Sequence, residues 1–219
     1  MDKVVEDLSA AQKTLSFQSE LLRCQEAASG AEEGYSLENF AYGTTPLATF
    51  QAVFSHPALR AKVAECLQRD LEYAVWGSSC GWLAFYGRLC FGLRTVGCEL
   101  LGSLVDLSNE VAGKHEILTE RGKGLHFERK DLLHFDLRET GILLLTSQCW
   151  DEDLKTRAYA KVASELPCGA LTIDYSGGLG KLPGLRQVAR LVHPVSWNSS
   201  QEFHVFVKVA EQKEGQLCM

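Results

Sequence analysis

The sequence predicts an α/β fold: a doubly wound, mostly parallel seven-stranded sheet with a C-terminal antiparallel hairpin and an N-terminal helical extension. Three observations carry that prediction. Five short apolar runs between residues 70 and 174 alternate with segments of helical spacing. The first run, Ala74-Val75-Trp76, breaks into the very small residues Gly77-Ser78-Ser79-Cys80-Gly81, and an apolar helical segment starts at Trp82. The second run, Thr95-Val96-Gly97-Cys98, then ends on the acidic Glu99. Strand, tight loop, helix, strand and acid is the order found at the ligand-binding end of doubly wound sheets. Finally, two strand-like runs, Val188–Trp197 and Phe203–Val209, are joined only by Asn198-Ser199-Ser200-Gln201. So short a link demands antiparallel pairing.

Taken in order, the chain opens with Val4, Leu8, Ala11, Leu15 and Leu22 at helical spacing. One amphipathic helix over residues 2–28 is expected, lying on the main domain as a cover. The polar, glycine-containing link Ser29–Gly34 follows. In Tyr42-Gly43-Thr44-Thr45-Pro46, Pro46 suits the first turn of a helix and Thr45 its cap. That helix runs to about Ser55, and Pro57 starts the next, through Leu59, Val63 and Leu67. After Glu99, Leu101, Leu104, Val105 and Val111 mark a helix. A third strand lies near Leu125–Phe127, and Gly141–Thr146 is a continuous apolar run, as befits a strand covered on both faces. Asp151-Glu152-Asp153 opens a helix, where acidic side chains suit the positive end of the helix dipole. Ala170–Ile173 is the fifth strand, closing at Asp174. The organisation expected is a helical cover over residues 1–70 and a sheet domain over 71–219, folded as one compact unit.

The bulk numbers narrow the function classes. At 219 residues and 46% hydrophobic content, the chain has ample material for a core. A formal charge of -6 disfavours a surface built to grip a phosphate backbone, so nucleic acid is a disfavoured partner. The eight cysteines form no CxxC pair, and neither they nor the six histidines show metal-ligand spacing. The start, MDKVVEDLSA, is acidic and lacks the basic and apolar regions of an export signal. No apolar run reaches the ~20 residues needed to cross a bilayer. The expectation is a cytoplasmic protein, with the nucleus also open.

A five-strand βα succession finished by an antiparallel hairpin resembles the class I S-adenosylmethionine-dependent methyltransferases, over roughly residues 70–210. The family places a carboxylate at the end of strand one and then a G-x-G-x-G loop. Here Val75 stands at the carboxylate position, Gly77 and Gly81 match the outer glycines, and Ser79 replaces the middle one. The resemblance implies that Gly77, Ser78, Ser79, Gly81 and Trp82 pass close to the methionine part and ribose of S-adenosylmethionine. It implies that Glu99 takes the ribose hydroxyls, since two acceptor oxygens suit a vicinal diol. Asp131 and Leu132 match the adenine position after strand three, with Asp136 a second candidate. Ser147 and Gln148, at the end of strand four, would border the transferable methyl group, with Trp150 as a wall. The Tyr42–Pro46 loop resembles the segment before the first motif in class I (non-SET) histone-lysine methyltransferases. By that likeness Thr44 and Thr45 contact the methionine portion and Tyr42 faces the sulfonium.

The implied activity is methyl transfer by in-line displacement to an acceptor that is either a small molecule or a protein. No histidine or carboxylate declares itself as a base, and Cys149 has no ordered Cys-His-Asp set around it. Two other readings share the loop and the acid: a non-catalytic binding module, supported by Val75 and Ser79, and an NAD(P)-dependent oxidoreductase, which fits the glycine spacing and the hairpin less well. The glycine-rich stretch Asp174–Gly178 is expected to be mobile.

Overall fold

The computed structural model describes residues 1–29, 35–120 and 122–210. The link expected at Ser29–Gly34 lies outside the described residues, apart from Ser29. Two helices open the chain, α1 (Asp2–Gln12) and α2 (Leu15–Ser29). The single helix expected there is broken because Thr14 takes a capping role, its Oγ1 accepting from Phe17 N–H at 3.1 Å. The break turns α2, so Leu15 and Leu22 are 86% and 59% exposed while Leu21 is buried. α1 keeps its predicted face, with Val4 and Leu8 in the core. Next come α3 (Leu47–Phe54) and α4 (Pro57–Arg69). His56 caps α4 by accepting from Ala58 N–H, and Pro57 occupies the first turn, where a missing N–H costs nothing.

The sheet contains β1 (Glu72–Trp76), β2 (Arg94–Glu99), β3 (Leu125–Arg129), β4 (Thr140–Leu145), β5 (Leu171–Asp174), β6 (Leu185–Val195) and β7 (Asn198–Lys208). Its order is β3-β2-β1-β4-β5-β7-β6, parallel through β5, with β7 antiparallel to both of its neighbours. Helices α5 (Trp82–Phe91), α6 (Gly102–Lys114) and α7 (Glu152–Glu165) make three of the crossovers. Strict alternation of strand and helix fails between β3 and β4, where the ten intervening residues hold only a one-turn helix, Leu132–His134. The hairpin turn also differs from expectation. It sits at Ser196-Trp197, between the paired residues Val195 and Asn198, and Asn198–Gln201 are strand. Polar residues are tolerated there because Asn198, Ser199 and Ser200 reach past the core and are exposed.

The central strands are buried on both faces, as their unbroken apolar runs require. Period-two alternation sends Val75 into the core under α3–α6 and Trp76 into the core under α7. The seven described cysteines are free thiols. Among the described residues no helix is long and apolar enough to cross a membrane, and no cluster of metal-ligating side chains occurs.

Candidate functional site

The chain leaves β1 toward β2 and leaves β4 toward β5, so the loops at these strand ends diverge and open a crevice. A cleft of about 390 Å³ lies there. Its floor is the loop after β1. Gly77, Ser79 and Gly81 hold left-handed backbone (φ +71°, +53° and +88°), and the N–H groups of Gly77 and Ser78 both donate to the Cys98 carbonyl at 3.0 Å. Gly77 lines the cleft, and a Cβ there would strike Thr146 Oγ1, itself bonded to the Trp76 and Gly77 carbonyls at 3.0 Å. Gly81 does not line it. A Cβ at Gly81 would lie 2.8 Å from the Phe127 ring and 2.9 Å from Phe85, so this glycine lets α5 pack on the sheet. Val75 likewise points into apolar core and leaves no side chain in the cleft. Ser79 is the one residue of the loop forced into left-handed backbone without being glycine, which explains why glycine suits that position.

Glu99 ends β2 against this floor. Its Oε2 accepts from Ser79 N–H at 2.9 Å, and Oε1 accepts from Leu100 and Leu101 N–H at 2.8 and 3.0 Å. Burial pushes its carboxyl up from the ordinary range, partly offset by the three N–H donors, Leu101 the strongest. The carboxylate has about four lone-pair sites, so three backbone partners leave capacity for a ligand hydroxyl. Asp131 lies beyond β3. Its Oδ1 caps the one-turn helix through Leu133 N–H (2.8 Å), and its Oδ2 accepts from Tyr35 Oη at 2.6 Å. Asp131 and Leu132 line the cleft, whereas Asp136 is turned to Arg138 away from it. Trp82 and Gln148 also line it, and Trp150 forms a wall.

The roof comes from residues 35–45. Asn39 donates Nδ2–H to Asp151 Oδ2 (2.8 Å) and accepts from Asp151 N–H (2.6 Å), which pins the roof to the start of α7. Thr44 exchanges two bonds with Ser196 in the hairpin turn (2.9 and 3.0 Å), and the Trp197 ring lies over Gly43. Thr45 is not the cap of α3. Pro46 holds that position and Thr45 Oγ1 instead meets Tyr175 Oη at 2.7 Å in the core. Tyr42 lines the cleft with its hydroxyl 3.3 Å from Cys80 Sγ, and burial raises its pKa well above the ordinary range.

Ser147 departs from its expected place. It is fully buried outside the cleft, its Oγ donating to Asp174 and lying 2.8 Å from Ser176 Oγ. Asp174 also accepts from Tyr159 Oη at 3.0 Å and Ser176 N–H at 3.3 Å. The Asp174–Gly178 stretch, expected to be mobile, is therefore anchored at its start. The structure adds Tyr35, Asn39, Thr146, Tyr175 and Trp197 to the lining, none of which carries a sequence signal of its own. Ser78 lines the cleft, but its Oγ is buried without a hydrogen-bond partner against Gly97.

No protein-family model matches the chain. No curated protein matches it in sequence. Solved structures do match. The fold is that of the class I S-adenosylmethionine-dependent methyltransferases. A Galdieria sulphuraria chain described as a sarcosine dimethylglycine methyltransferase is similar at a TM-score of 0.60 and 9% identity, over 76% of this chain and 86% of that one. The magnesium protoporphyrin IX methyltransferase of Synechocystis, solved with bound SAM, is similar at 0.54 and 10%, over 86% and 97%. An RNA methyltransferase from Salinibacter ruber, in complex with S-adenosyl-L-homocysteine, is similar at 0.51 and 16%, over 71% and 95%.

Proposed function

We propose that this chain is an S-adenosylmethionine-dependent methyltransferase. The observation that carries the reading is Glu99: a carboxylate held by three backbone N–H groups on the floor of a cleft, beside a left-handed glycine loop, at the switch point of this sheet. S-Adenosylmethionine, when bound, supplies a methyl group on a sulfonium that departs in an in-line displacement.

In this reading the free lone pair of Glu99 accepts from a hydroxyl of the ribose diol. Asp131 and Leu132 meet the adenine edge, with Leu100 and Leu101 beside the ring. Gly77, Ser78 and Ser79 let the methionine part pass close to the backbone. With Val75 in the core, the ammonium group meets the oxygens of Thr44 and Gln148 in place of a strand-one carboxylate. Gly81 and Thr45 act indirectly, through packing and the Tyr175 bond. Ser147 positions Gln148 from behind. Residues 35–45 act as a lid, part of the helical cover over residues 1–70. Alignment of the acceptor with the methyl carbon contributes up to about 7–11 kcal/mol of such a barrier, and the rest of the cleft serves to exclude water.

The net charge disfavours nucleic acid as acceptor, but this gains no support from the neighbours, one of which is an RNA methyltransferase. A calorimetric titration with S-adenosylmethionine, S-adenosylhomocysteine and NADH tests the proposal. Saturable binding of the first two alone is expected. Binding of neither sulfur compound overturns it.

A further inference from the structure

The two halves of the cleft present different chemistry. Its three charged side chains among the described residues, Glu99, Lys130 and Asp131, all stand at the ends of β2 and β3. The other half is built by the ends of β4 and β5, the hairpin turn and the roof loop. It presents Thr146, Gln148, Tyr175, Trp197 and Tyr42, and none of its described lining residues is an acid, a histidine, a lysine or an arginine.

That half offers nothing to remove a proton near neutral pH. Its ionisable groups, Tyr42, Tyr175 and Cys149, are all pushed upward, burial being the first cause in each. An alcohol or an ammonium acceptor needs such a base. A nucleophile whose free lone pair sits on an atom with no proton to lose does not. The same half does offer flat surfaces. The Tyr175 and Trp197 rings lie 6.3 Å apart at 32°, and Trp197 and Tyr42 are 43% and 37% exposed, which leaves the rings open at the mouth.

Resting on the methyltransferase reading, we propose that the acceptor is a neutral, planar heteroaromatic base methylated on a ring nitrogen, seated against Trp197 and Tyr42. The ring nitrogen's lone pair forms the new N–C bond. The C–S bond breaks, and its electron pair stays on sulfur, giving S-adenosylhomocysteine. The positive charge passes from sulfonium to ring, and no proton moves. The aromatic walls then face a cation, which their π-faces attract.

The test incubates the full chain with S-adenosylmethionine and a panel of quinoline, N-alkylimidazole, a phenol, an alkyl thiol, an alkyl thioether and an alkylamine, with methylated products read by mass. Methylation of the ring nitrogens is expected, with a rate that rises through the free ring's own pKa and stays level above it. Separately, calorimetry on the S-adenosylhomocysteine complex should show N-methylquinolinium binding at least fivefold more weakly to Trp197→Ala than to wild type, with Trp197→Phe restoring most of the loss. Trp197 is half-exposed, and an unchanged melting curve will show that the variant is folded. Cofactor binding with turnover only of phenol, thiol, thioether or amine, or with no turnover at all, overturns the acceptor assignment, as does an unchanged cation affinity in Trp197→Ala. Absence of cofactor binding overturns the methyltransferase reading instead, and the assignment falls with it.

Discussion

The half of the cleft at β2 and β3 and the half at β4, β5 and the hairpin are held together in opposite ways. On the first side each carboxylate has a tie to its neighbours in sequence, Glu99 to Leu100 and Leu101 and Asp131 to Leu133, beside its longer ties to Ser79 and Tyr35. On the second side the contacts are remote. Thr45 meets Tyr175 across 130 positions, and Thr44 meets Ser196 across 152. A locally tied acid is placed as soon as its strand end forms. A wall made from the roof loop and the hairpin exists only when the whole chain is folded. The first side is thus suited to a constant ligand part, and the second can vary with the acceptor while the sheet stays unchanged.

The comparison is tested most severely at Asp174, which ties β4 to β5 behind the second half. Asp174→Ala removes the acceptor for the Ser147, Tyr159 and Ser176 hydroxyls, and should lower stability by about 3 kcal/mol, at roughly 1 kcal/mol per buried bond. Urea unfolding measures it. Cofactor affinity should stay within about threefold of wild type, because Asp174 reaches the ligand only indirectly, through Ser147 behind Gln148. A parallel loss of cofactor would show that the two halves are one unit.

Glu99→Ala tests the first half. Its cofactor Kd should rise at least tenfold, a change of about 1.4 kcal/mol. The Glu99 carboxyl protonates above its ordinary pH range, so acidification toward that raised value removes a ligand acceptor. Wild-type affinity should therefore fall on acidification, and the Glu99→Ala affinity should lose this dependence. An equal pH dependence in both proteins would assign Glu99 to loop structure alone.

A smaller effect is expected at the pin between roof and sheet. Asp151 caps α7 through Leu154 N–H (2.8 Å) and holds Asn39, and that cap bond is the first cause of a carboxyl pKa held below 3.8. A depressed value means the folded state prefers the anion. Its contribution is complete above the ordinary value and fades as pH falls through the folded one. Asp151→Ala should cost about 1 kcal/mol at neutral pH, shrinking as the pH falls through the lowered value of this carboxyl, as read by thermal melts at neutral and at acid pH. The smallest change is a gain. Ser79→Gly relieves left-handed backbone at φ +53° and should stabilise by about 0.5 kcal/mol in the same melts.

Hydrophobic periodicity and glycine placement in the sequence determined most of the fold. The five parallel strands, the helices between β1 and β3, and α7 with its acidic start lie close to where the apolar runs and caps put them, since each depends on neighbours within a few residues. The Gly77–Glu99 spacing also marked the cleft floor, because a tight turn demands small residues and left-handed backbone. Tertiary structure alone decided what local pattern does not encode. It moved the hairpin turn to Ser196-Trp197 and drew Thr45 from capping to Tyr175. It also sent Ser147 behind the cleft to Asp174, and brought Tyr35, Asn39 and Trp197 into its lining. Side chains from residues 35–45, strand ends and a hairpin turn share one wall through contacts 38 to 152 positions apart. Such contacts leave no periodicity in the chain, so the floor of this cleft is written locally and its roof is a product of folding.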